Sequence, residues 1–305
     1  MTMCPSGQQY RISSGAQHAT VVQVGGGIRE YYLGDRQVLQ PYDEHAMADG
    51  AHGAVLIPWP NRLEDGKYHW DGHDHQLALS EPDKHNATHG LLRWSPWKLV
   101  DGASDRVTLG AEIFAQSGYP FQLAVTITYA LSESGLAVTT TAANTGDAAL
   151  PYAHGQHPYL SPGSGLVDGC TLQLDAATRL LADPERLLPV GTESVADTDF
   201  DFRQGRDLSG LVVDSPFTDL GRDADGLAWV RLTGHDGRMA SIWADRSFNY
   251  LQIFTGDTLA TDRRRTGVAA EPTTAPPNAL HTGTDVIRIE PGASITTVWG
   301  ACLSD

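Results

Sequence analysis

Apolar and polar residues alternate along much of the chain, and this pattern predicts β-strands rather than helices. In residues 123–129, larger apolar side chains occupy every second position, with Ala and Thr between them. Residues 136–142, rich in Thr and Val, run back after a polar turn at 132–135. Successive side chains of a strand point to opposite faces, so each segment has one face for a core. The two segments therefore predict an antiparallel hairpin.

Asp-Gly dipeptides supply further turn signals. They occur at seven places, and several lie between alternating segments, which is the strongest short-range indication of a hairpin. Only residues 183–188 have a composition compatible with a short turn of helix. The pattern predicts an all-β fold, a large antiparallel β-sandwich that we expect to form a single domain over residues 1–305. Further strands are predicted at 68–70 paired with 73–79, at 228–233 paired with 239–244, and at 286–289.

Composition and charge limit the classes of partner. The 305 residues are 41% hydrophobic and 19% charged, the balance of a globular protein. The formal net charge of −16 argues against nucleic acids and anionic membranes, because both require basic patches, but it says little about a neutral ligand. The N-terminal segment is polar, and no apolar run approaches the ~18 residues of a membrane span. We therefore expect a cytoplasmic protein that is a monomer or a homodimer.

Cysteine and histidine spacing predicts no metal or cofactor site. The three cysteines are scattered without a Cys-x-x-Cys pair, so we expect buried free thiols. His73 and His75 form a His-x-His pair on a predicted hairpin, but no third ligand is tied to them by sequence. Gly25-Gly26-Gly27 lacks the Lys-Ser/Thr of a phosphate loop, and no serine-hydrolase elbow occurs. We interpret the triple glycine as a turn between strands.

Four segments combine an ionisable or amide side chain with Gly, Pro or aromatic neighbours near predicted strand ends. Carbohydrate sites need this mixture, because polar groups bind hydroxyls while flat apolar faces pack against a sugar ring. The residues alone leave a sugar site and ordinary loop or core usage both open. The segments are Pro58-Trp59-Pro60-Asn61-Arg62, Asn86-Ala87-Thr88-His89-Gly90-Leu91, Gly155-Gln156-His157-Pro158-Tyr159-Leu160 and Val268-Ala269-Ala270-Glu271-Pro272.

Together and in this order, the segments resemble the aldose 1-epimerase (galactose mutarotase) family. The resemblance spans about residues 25–300. Leu160 replaces the commoner Phe, and Pro158 and Asp257 indicate a bacterial, epimerase-related branch. Six motifs carry it: Asn61-Arg62 as Asn-Arg, 86–90 as Asn-x-x-His-Gly, 157–160 as His-x-Tyr-Phe, 214–217 as Asp-x-x-Phe, 252–256 as Gln-x-Tyr-Thr-Gly, and 271–280 as Glu-Pro followed by Pro-x-x-x-Leu/Asn.

The resemblance implies a β-sandwich with an open cleft on one sheet and a cofactor-free enzyme that interconverts the α and β anomers of a free aldohexose. Glu271 would be the general base that takes the proton from the anomeric hydroxyl. His157 would be the general acid that protonates the ring oxygen, and His89 would assist at that oxygen. This chemistry needs two proton transfers and no redox partner. The residues implied to bind the sugar are Asn61, Arg62, Asp214 and Gln252.

Several alternatives stay open on the sequence. His154 is a rival of His157 for the acid role, and Asp219 lies in a setting similar to that of Asp214. The substrate could instead be a hexose with a phosphate or a sulfonate, for which Arg263 to Arg265 would supply anion contacts. A third possibility is a catalytically silent sugar-binding module, since a fold does not fix a function. The matched Glu271 and His157 argue against that possibility.

Overall fold

The computed structural model describes residues 4–305 and confirms the all-β fold. Most strands belong to two antiparallel sheets, here called the first sheet, with 12 strands, and the second sheet, with nine. The strands are β1 (Gln9–Ser14), β2 (Gln17–Val22), β3 (Ile28–Leu33), β4 (Arg36–Leu39), β5 (Val55–Leu56), β6 (Arg62–Glu64), β7 (Lys67–Trp70), β8 (His73–Gln76), β9 (Asn86–Thr88), β10 (Lys98–Gly102), β11 (Arg106–Ile113), β12 (Leu123–Ser132), β13 (Gly135–Asn144), β14 (Leu150–Tyr152), β15 (Gly155–Gln156), β16 (Tyr159–Leu160), β17 (Thr171–Leu174), β18 (Ala176–Ala182), β19 (Pro189–Ser194), β20 (Arg206–Asp207), β21 (Asp214–Leu220), β22 (Ala228–Thr233), β23 (Met239–Ala244), β24 (Tyr250–Phe254), β25 (Val268–Thr273), β26 (Ile287–Ile289) and β27 (Ser294–Ser304).

The two sheets pack face to face around a shared core. The first sheet runs β1-β2-β3-β4-β16-β25-β24-β21-β18-β19, with β15 paired to β25 and β5 paired to β15. The second sheet runs β10-β11-β12-β13-β27-β23-β22-β17-β20. Three small two-stranded sheets, β14-β26, β6-β9 and β7-β8, flank them. Apolar side chains from both large sheets, such as Ile127 and Ile253, belong to one continuous buried cluster.

The predicted hairpins are confirmed. Strands β12 and β13 pair in antiparallel register from Leu123 opposite Asn144 to Ser132 opposite Gly135. Strands β7 and β8, and strands β22 and β23, pair across the Asp-Gly turns as the sequence predicts. The triple glycine connects β2 to β3, and two of its glycines have positive φ, a backbone region that glycine reaches without steric cost.

The short turn of helix predicted at 183–188 is present as an isolated α-turn that does not continue into a helix. These residues form a hydrogen-bonded turn between β18 and β19, in which the amide of Leu187 donates to the carbonyl of Asp183 at 3.1 Å. Leu187 has a φ of 57°, in the left-handed region, so a helix cannot continue through it. A four-residue α-helix, α1 (Ala279–Thr282), lies instead within a segment for which no helix was predicted.

Other sequence predictions are met in part. Within residues 4–305 all cysteines are free, but only Cys170 is buried, whereas Cys4 and Cys302 are partly exposed. None of the helices in this range has the length and apolar character that a membrane crossing would require.

Candidate active site

A cavity of about 310 Å³ opens on the first sheet, and the residues that the sequence singled out meet there. Strands β21, β24 and β25 form its floor, and connecting segments from 49–51, 88–93 and 258–259 form its walls. All seven predicted site residues line this cavity: Asn61, Arg62, His89, His157, Asp214, Gln252 and Glu271.

Strand alternation explains why polar side chains form the cavity floor. In β25, Val268 and Ala270 belong to the hydrophobic core, so Glu271 faces the opposite side of the sheet. In β24, Leu251 and Ile253 belong to the core, so Gln252 shares the face of Glu271. The register places Gln252 directly opposite Glu271. A sequence that alternates apolar and polar residues thus builds a core and a polar floor with the same strands.

The centre of the cavity is a direct contact between Glu271 and His157. Oε1 of Glu271 lies 3.2 Å from Nε2 of His157. Both residues are buried, with exposed fractions of 2% and 6%. Oε2 of Glu271 and Nδ1 of His157 have no hydrogen-bond partner within residues 4–305. Each group therefore combines a contact to the other with a free heteroatom.

Burial decides the charge state of this pair. Desolvation raises the pKa of Glu271 well above its ordinary value, and the nearby Asp214 carboxylate raises it further. Desolvation likewise lowers the pKa of His157 to about 3. Both shifts favour neutral side chains, so the pair as a whole is neutral and carries one proton that either partner can hold. The ion pair, with His157 protonated and Glu271 ionised, has the same number of protons and is therefore a tautomer of this neutral pair.

Backbone hydrogen bonds and ring stacking hold His157 in place. Its backbone amide donates to the carbonyl of Ala54 at 3.1 Å, and its carbonyl accepts from the amide of Gly53 at 2.8 Å. The ring of Tyr159 stacks on the imidazole with centroids 5.1 Å apart. These contacts fix the ring before any substrate binds, which lowers the entropy cost of a productive geometry.

A buried polar network anchors the strand that precedes His157. Gln156 accepts from the indole N–H of Trp299 at 2.9 Å and donates to the hydroxyl of Tyr129 at 2.6 Å. Both aromatic residues belong to the second sheet, whereas Gln156 belongs to the first sheet. Because every polar atom named here is paired, the hydrogen bonds of the network offset the cost of burying these groups between the sheets.

His89 and Asn61 are joined by two reciprocal hydrogen bonds. Both have positive φ, 60° and 55°, and the amide of His89 donates to the carbonyl of Asn61 at 2.9 Å. The amide of Asn61 donates in return to Nδ1 of His89 at 3.2 Å. Nδ1 is therefore the acceptor, and Nε2 carries the proton in the neutral ring. Burial and the nearby His157 hold the pKa of His89 well below its ordinary value, so the ring is neutral.

The hydroxyl-binding candidates form a chain across the floor. The amide nitrogen of Gln252 donates to Oδ1 of Asp214 at 2.7 Å, and that of Asn61 lies 3.5 Å from Oε1 of Gln252. The Asp214 side chain opens to the cavity, but the surrounding walls desolvate it and raise its pKa. Asp219, its sequence rival, bonds instead to the hydroxyl of Thr178 and does not line the cavity.

Glu81, which the sequence analysis missed, orients Arg62. Its two carboxylate oxygens accept from Nε and Nη2 of Arg62 at 2.9 and 3.1 Å, a bidentate pair. Asn86 donates to the same carboxylate at 3.2 Å and to the carbonyl of Arg186 at 2.9 Å. Glu81 lies outside the quoted motifs, and no local sequence signal pairs it with an arginine 19 positions earlier.

Arg93 was missed as well, and it differs from Arg62. It lines the cavity, and its guanidinium lies 4.9 Å from the ring centroid of Trp94. Among residues 4–305, no carboxylate lies within salt-bridge distance of it. Burial lowers its pKa. Its position just after the Asn-x-x-His-Gly motif is the one sequence signal that could have indicated it.

The arginine run at 263–265 does not form the anion site that the sequence allowed. Arg265 is buried in ion pairs with Asp168 at 2.9 Å and Asp257 at 3.0 Å. Arg263 pairs with Asp49 at 2.5 Å and so joins two cavity-rim segments, while Arg264 is exposed. None of the three lines the cavity. Acidic neighbours thus pair with two of the three arginines of the run.

Comparisons with known proteins agree with this geometry. The aldose 1-epimerase family model matches residues 8–299. The uncharacterised protein YihR of Escherichia coli K-12 is 33% identical over 288 residues, which cover 94% of this chain and 90% of YihR. Human galactose mutarotase is 30% identical over 167 residues, 51% of this chain and 46% of that protein.

Solved structures show the same fold at low sequence identity. The GalM/aldose epimerase homologue of Caenorhabditis elegans superposes with a TM-score of 0.86 at 20% identity, covering 97% of this chain and 98% of that chain. The match of the family model over nearly the whole chain is the decisive finding, since it includes the strands that form the cavity floor. The chain belongs to the aldose 1-epimerase family.

Proposed function

We propose that the protein is an aldose 1-epimerase that interconverts the α and β anomers of a free aldohexose. The observation that carries the proposal is the Glu271–His157 contact at 3.2 Å on the floor of a polar cavity. A sugar-binding module would need hydroxyl-binding groups but no buried acid and base in contact. The cavity volume of about 310 Å³ is within the range of small-molecule pockets.

The proposed reaction opens and recloses the sugar ring. Glu271 takes the proton of the anomeric hydroxyl while His157 gives a proton to the ring oxygen, and the C1–O5 bond breaks. The open-chain aldehyde rotates about C1–C2. The hydroxyl at C5 then attacks the other face of the carbonyl, His157 takes back its proton and Glu271 returns its own. Atoms and charges balance over the cycle, so the enzyme ends in its starting state.

The neighbouring groups support the developing charges. Nε2–H of His89 is a neutral donor for the ring oxygen region, and Arg62, fixed by Glu81, is a cationic one. A sugar hydroxyl that donates to Oε2 of Glu271 and a sugar oxygen that accepts from Nδ1–H of His157 favour the ion-pair tautomer of the central pair. In that tautomer His157 is the acid and Glu271 the base that the reaction requires.

An assay of anomer interconversion tests the proposal directly. Fresh α-glucose and α-galactose are followed by polarimetry with and without the protein, in a buffer with slow spontaneous mutarotation. We expect acceleration that scales with protein concentration for at least one neutral aldohexose. The absence of acceleration across a panel of neutral and charged aldoses, combined with sugar binding by calorimetry, would favour the silent binding module instead.

A hexose with a phosphate or a sulfonate is the second candidate substrate, and Arg93 favours it. This arginine faces the cavity without a carboxylate partner, whereas Arg62 is neutralised by Glu81. An unpaired, partly buried guanidinium is well suited to a substituent with several anionic oxygens.

The two substrates are distinguished by kcat/KM for glucose and glucose 6-phosphate in one buffer. A preference of at least about tenfold for the phosphate, removed by Arg93→Gln, selects the second candidate, since tenfold corresponds to about 1.4 kcal/mol. A preference for glucose that Arg93→Gln leaves unchanged selects the first. Arg264→Gln is the matched control, because Arg264 is exposed and does not line the cavity.

A further inference from the structure

Within residues 4–305, two arginines and three carboxylates line the cavity beside the neutral central pair. The arginines are Arg62 and Arg93, and the carboxylates are Asp49, Glu81 and Asp214. Asp49 is already paired with Arg263, which does not line the cavity. Glu81 and Asp214 are therefore the carboxylates that offset the two arginines inside the cavity.

Glu81 is bound to one of these arginines in a way that cancels most of its charge. Both carboxylate oxygens accept from Arg62, and the side chains of the two residues are only 27% and 21% exposed. Solvent screens a partly buried pair less than a surface pair, so the two charges act strongly on each other. The guanidinium has five N–H donors and the pair uses two of them. Arg62 therefore keeps donors for sugar hydroxyls while its positive field is reduced.

The segment around Glu81 holds the carboxylate in this position. The backbones of Glu81 and Asn86 exchange two hydrogen bonds, at 2.9 and 3.1 Å. The side-chain amide of Asn86 donates to the Glu81 carboxylate at 3.2 Å. One residue earlier, the hydroxyl of Ser80 accepts from the backbone amide of Thr88 at 2.8 Å. Glu81 is thus fixed beside the cavity before a sugar binds, and its charge acts on every ligand.

The field of Glu81 extends beyond Arg62. Burial is the main cause of the raised pKa of Asp214, which Arg62 lowers and Glu81 raises further. Burial also lowers the pKa of Arg93, and both Asp49 and Glu81 oppose that shift. A cavity of about 310 Å³ has the dimensions of a single hexose. Any substituent of a bound sugar therefore lies about one screening length, 8–10 Å, or less from Glu81.

We propose that Glu81 is a specificity-determining residue that weakens the binding of anionic sugars by neutralising Arg62. Without its charge the cavity has an excess cation, and the guanidinium fork of Arg62 is available to the oxygens of an anionic substituent. The proposal rests on the proposed sugar site but not on turnover. It applies to either candidate substrate, because it concerns the ratio of affinities for the neutral and the anionic form of one sugar.

Binding of unreactive analogues tests the proposal. Anhydroglucitol and anhydrogalactitol lack the anomeric hydroxyl of glucose and galactose, and their 6-phosphates differ from them only by the anionic group. Calorimetry gives the Kd of each compound, and the Kd ratio of the neutral and phosphorylated forms cancels losses that are common to both. We expect Glu81→Gln to shift this ratio in favour of the phosphate by at least about tenfold, which corresponds to about 1.4 kcal/mol.

Matched variants separate the charge of Glu81 from its shape and from the net charge of the chain. Glu81→Asp keeps the carboxylate and should leave the ratio within about threefold of wild type. Glu64→Gln removes a carboxylate that lies 3.2 Å from Arg186 and does not line the cavity, so it should leave the ratio unchanged. Arg62→Gln should shift the ratio in the opposite direction, and adding it to Glu81→Gln should return the ratio towards wild type.

Three results would overturn the proposal. They are an unchanged ratio in Glu81→Gln, a shift of the same size in Glu81→Asp or Glu64→Gln, and a wild type that binds none of the four compounds. The Tm of each variant confirms that it is folded, and Arg62→Gln supplies an independent test of the sign. A shift of the expected size in a protein that does not accelerate anomer interconversion would contradict the proposed function alone.

Discussion

His154 and His157 lie three residues apart, and burial lowers the pKa of each to about 3. Their surroundings nevertheless differ. His154 is fully buried in the core, where Nδ1 lies 2.8 Å from the hydroxyl of Thr297 and the ring packs against Phe248 at 5.6 Å. His157 lines the cavity and contacts Glu271. The ring of His154 is enclosed by core residues, whereas the ring of His157 faces the cavity, where a substrate can bind.

The difference shows that a shifted pKa does not identify a catalytic group by itself. Desolvation alone produces the shift at His154, so the same value arises without chemistry. What sets His157 apart is geometry: a carboxylate partner, access to a cavity, and a backbone held on both sides. The following predictions test this contrast.

The largest effect is expected for Glu271→Gln. The amide keeps the shape of the side chain but cannot accept the anomeric proton, so we expect a loss of kcat of about 10²-fold or more. The catalysed rate above the spontaneous rate is measured by polarimetry, and the Tm checks the fold. Retention of more than about a tenth of wild-type kcat would contradict a general-base role.

The same substitution should mainly lower activity at His157 and mainly lower stability at His154. His157→Asn should lower kcat by about 10²-fold with a smaller change in KM, because protonation of the ring oxygen is needed mainly in the transition state. His154→Asn should lower the Tm but leave kcat within about threefold of wild type. A larger kcat loss for His154→Asn than for His157→Asn would transfer the acid role to His154.

The pH dependence of kcat/KM should report the environment of Glu271. Burial and Asp214 raise its pKa, so the central pair keeps the one proton that the reaction requires up to a higher pH than an ordinary glutamate would allow. We expect kcat/KM to fall as the pH increases through that raised pKa, because the pair then loses the proton that His157 gives to the ring oxygen. Asp214→Asn removes the like charge and should shift this alkaline limb to lower pH, whatever its effect on KM. An unmoved limb would show that the limb belongs to another group.

The smallest effect concerns stability. The pKa of His154 is about 3 in the folded protein and 6.5 in the reference state, so between these values the unfolded chain binds more protons. The free energy of unfolding should therefore fall as the pH drops below 6.5, with up to about 1.4 kcal/mol per pH unit from this one group. Urea unfolding from pH 7 to pH 4 measures the slope, which should be shallower in His154→Gln. Equal slopes in the wild type and the variant would show that His154 does not contribute to the pH dependence of stability.

Much of the fold could be predicted because β-strands leave a periodic pattern in the sequence. The hairpin of β12 and β13 is visible in the alternation of residues 123–129 and in the turn that follows. The sequence indicated the turn at 183–188 but not where it ends, because the left-handed conformation of Leu187 depends on the surrounding turn. Helix α1 has only four residues, too short for a helical period to appear.

The candidate site was predicted less completely, because several of its contacts join residues that are far apart in the sequence. Motifs with several fixed positions, such as Asn86 to Gly90, carry their own signal. Ion pairs between distant segments do not, so neither the Glu81–Arg62 pair nor the neutralisation of Arg265 by Asp168 and Asp257 followed from the sequence. These pairs decide which cations in and around the cavity stay available to a ligand, and they emerge only when the chain is folded.

The central claim is that Glu271 and His157 act as one proton-transfer unit. A double-mutant cycle of kcat with Glu271→Gln, His157→Asn and the combined variant tests it most directly. Residues that act as a unit give strongly non-additive losses, so the double variant should lose no more than about threefold beyond the worse single variant. Losses that multiply across the two substitutions, for example about 10²-fold each and about 10⁴-fold together, would show two independent contributions and contradict the claim.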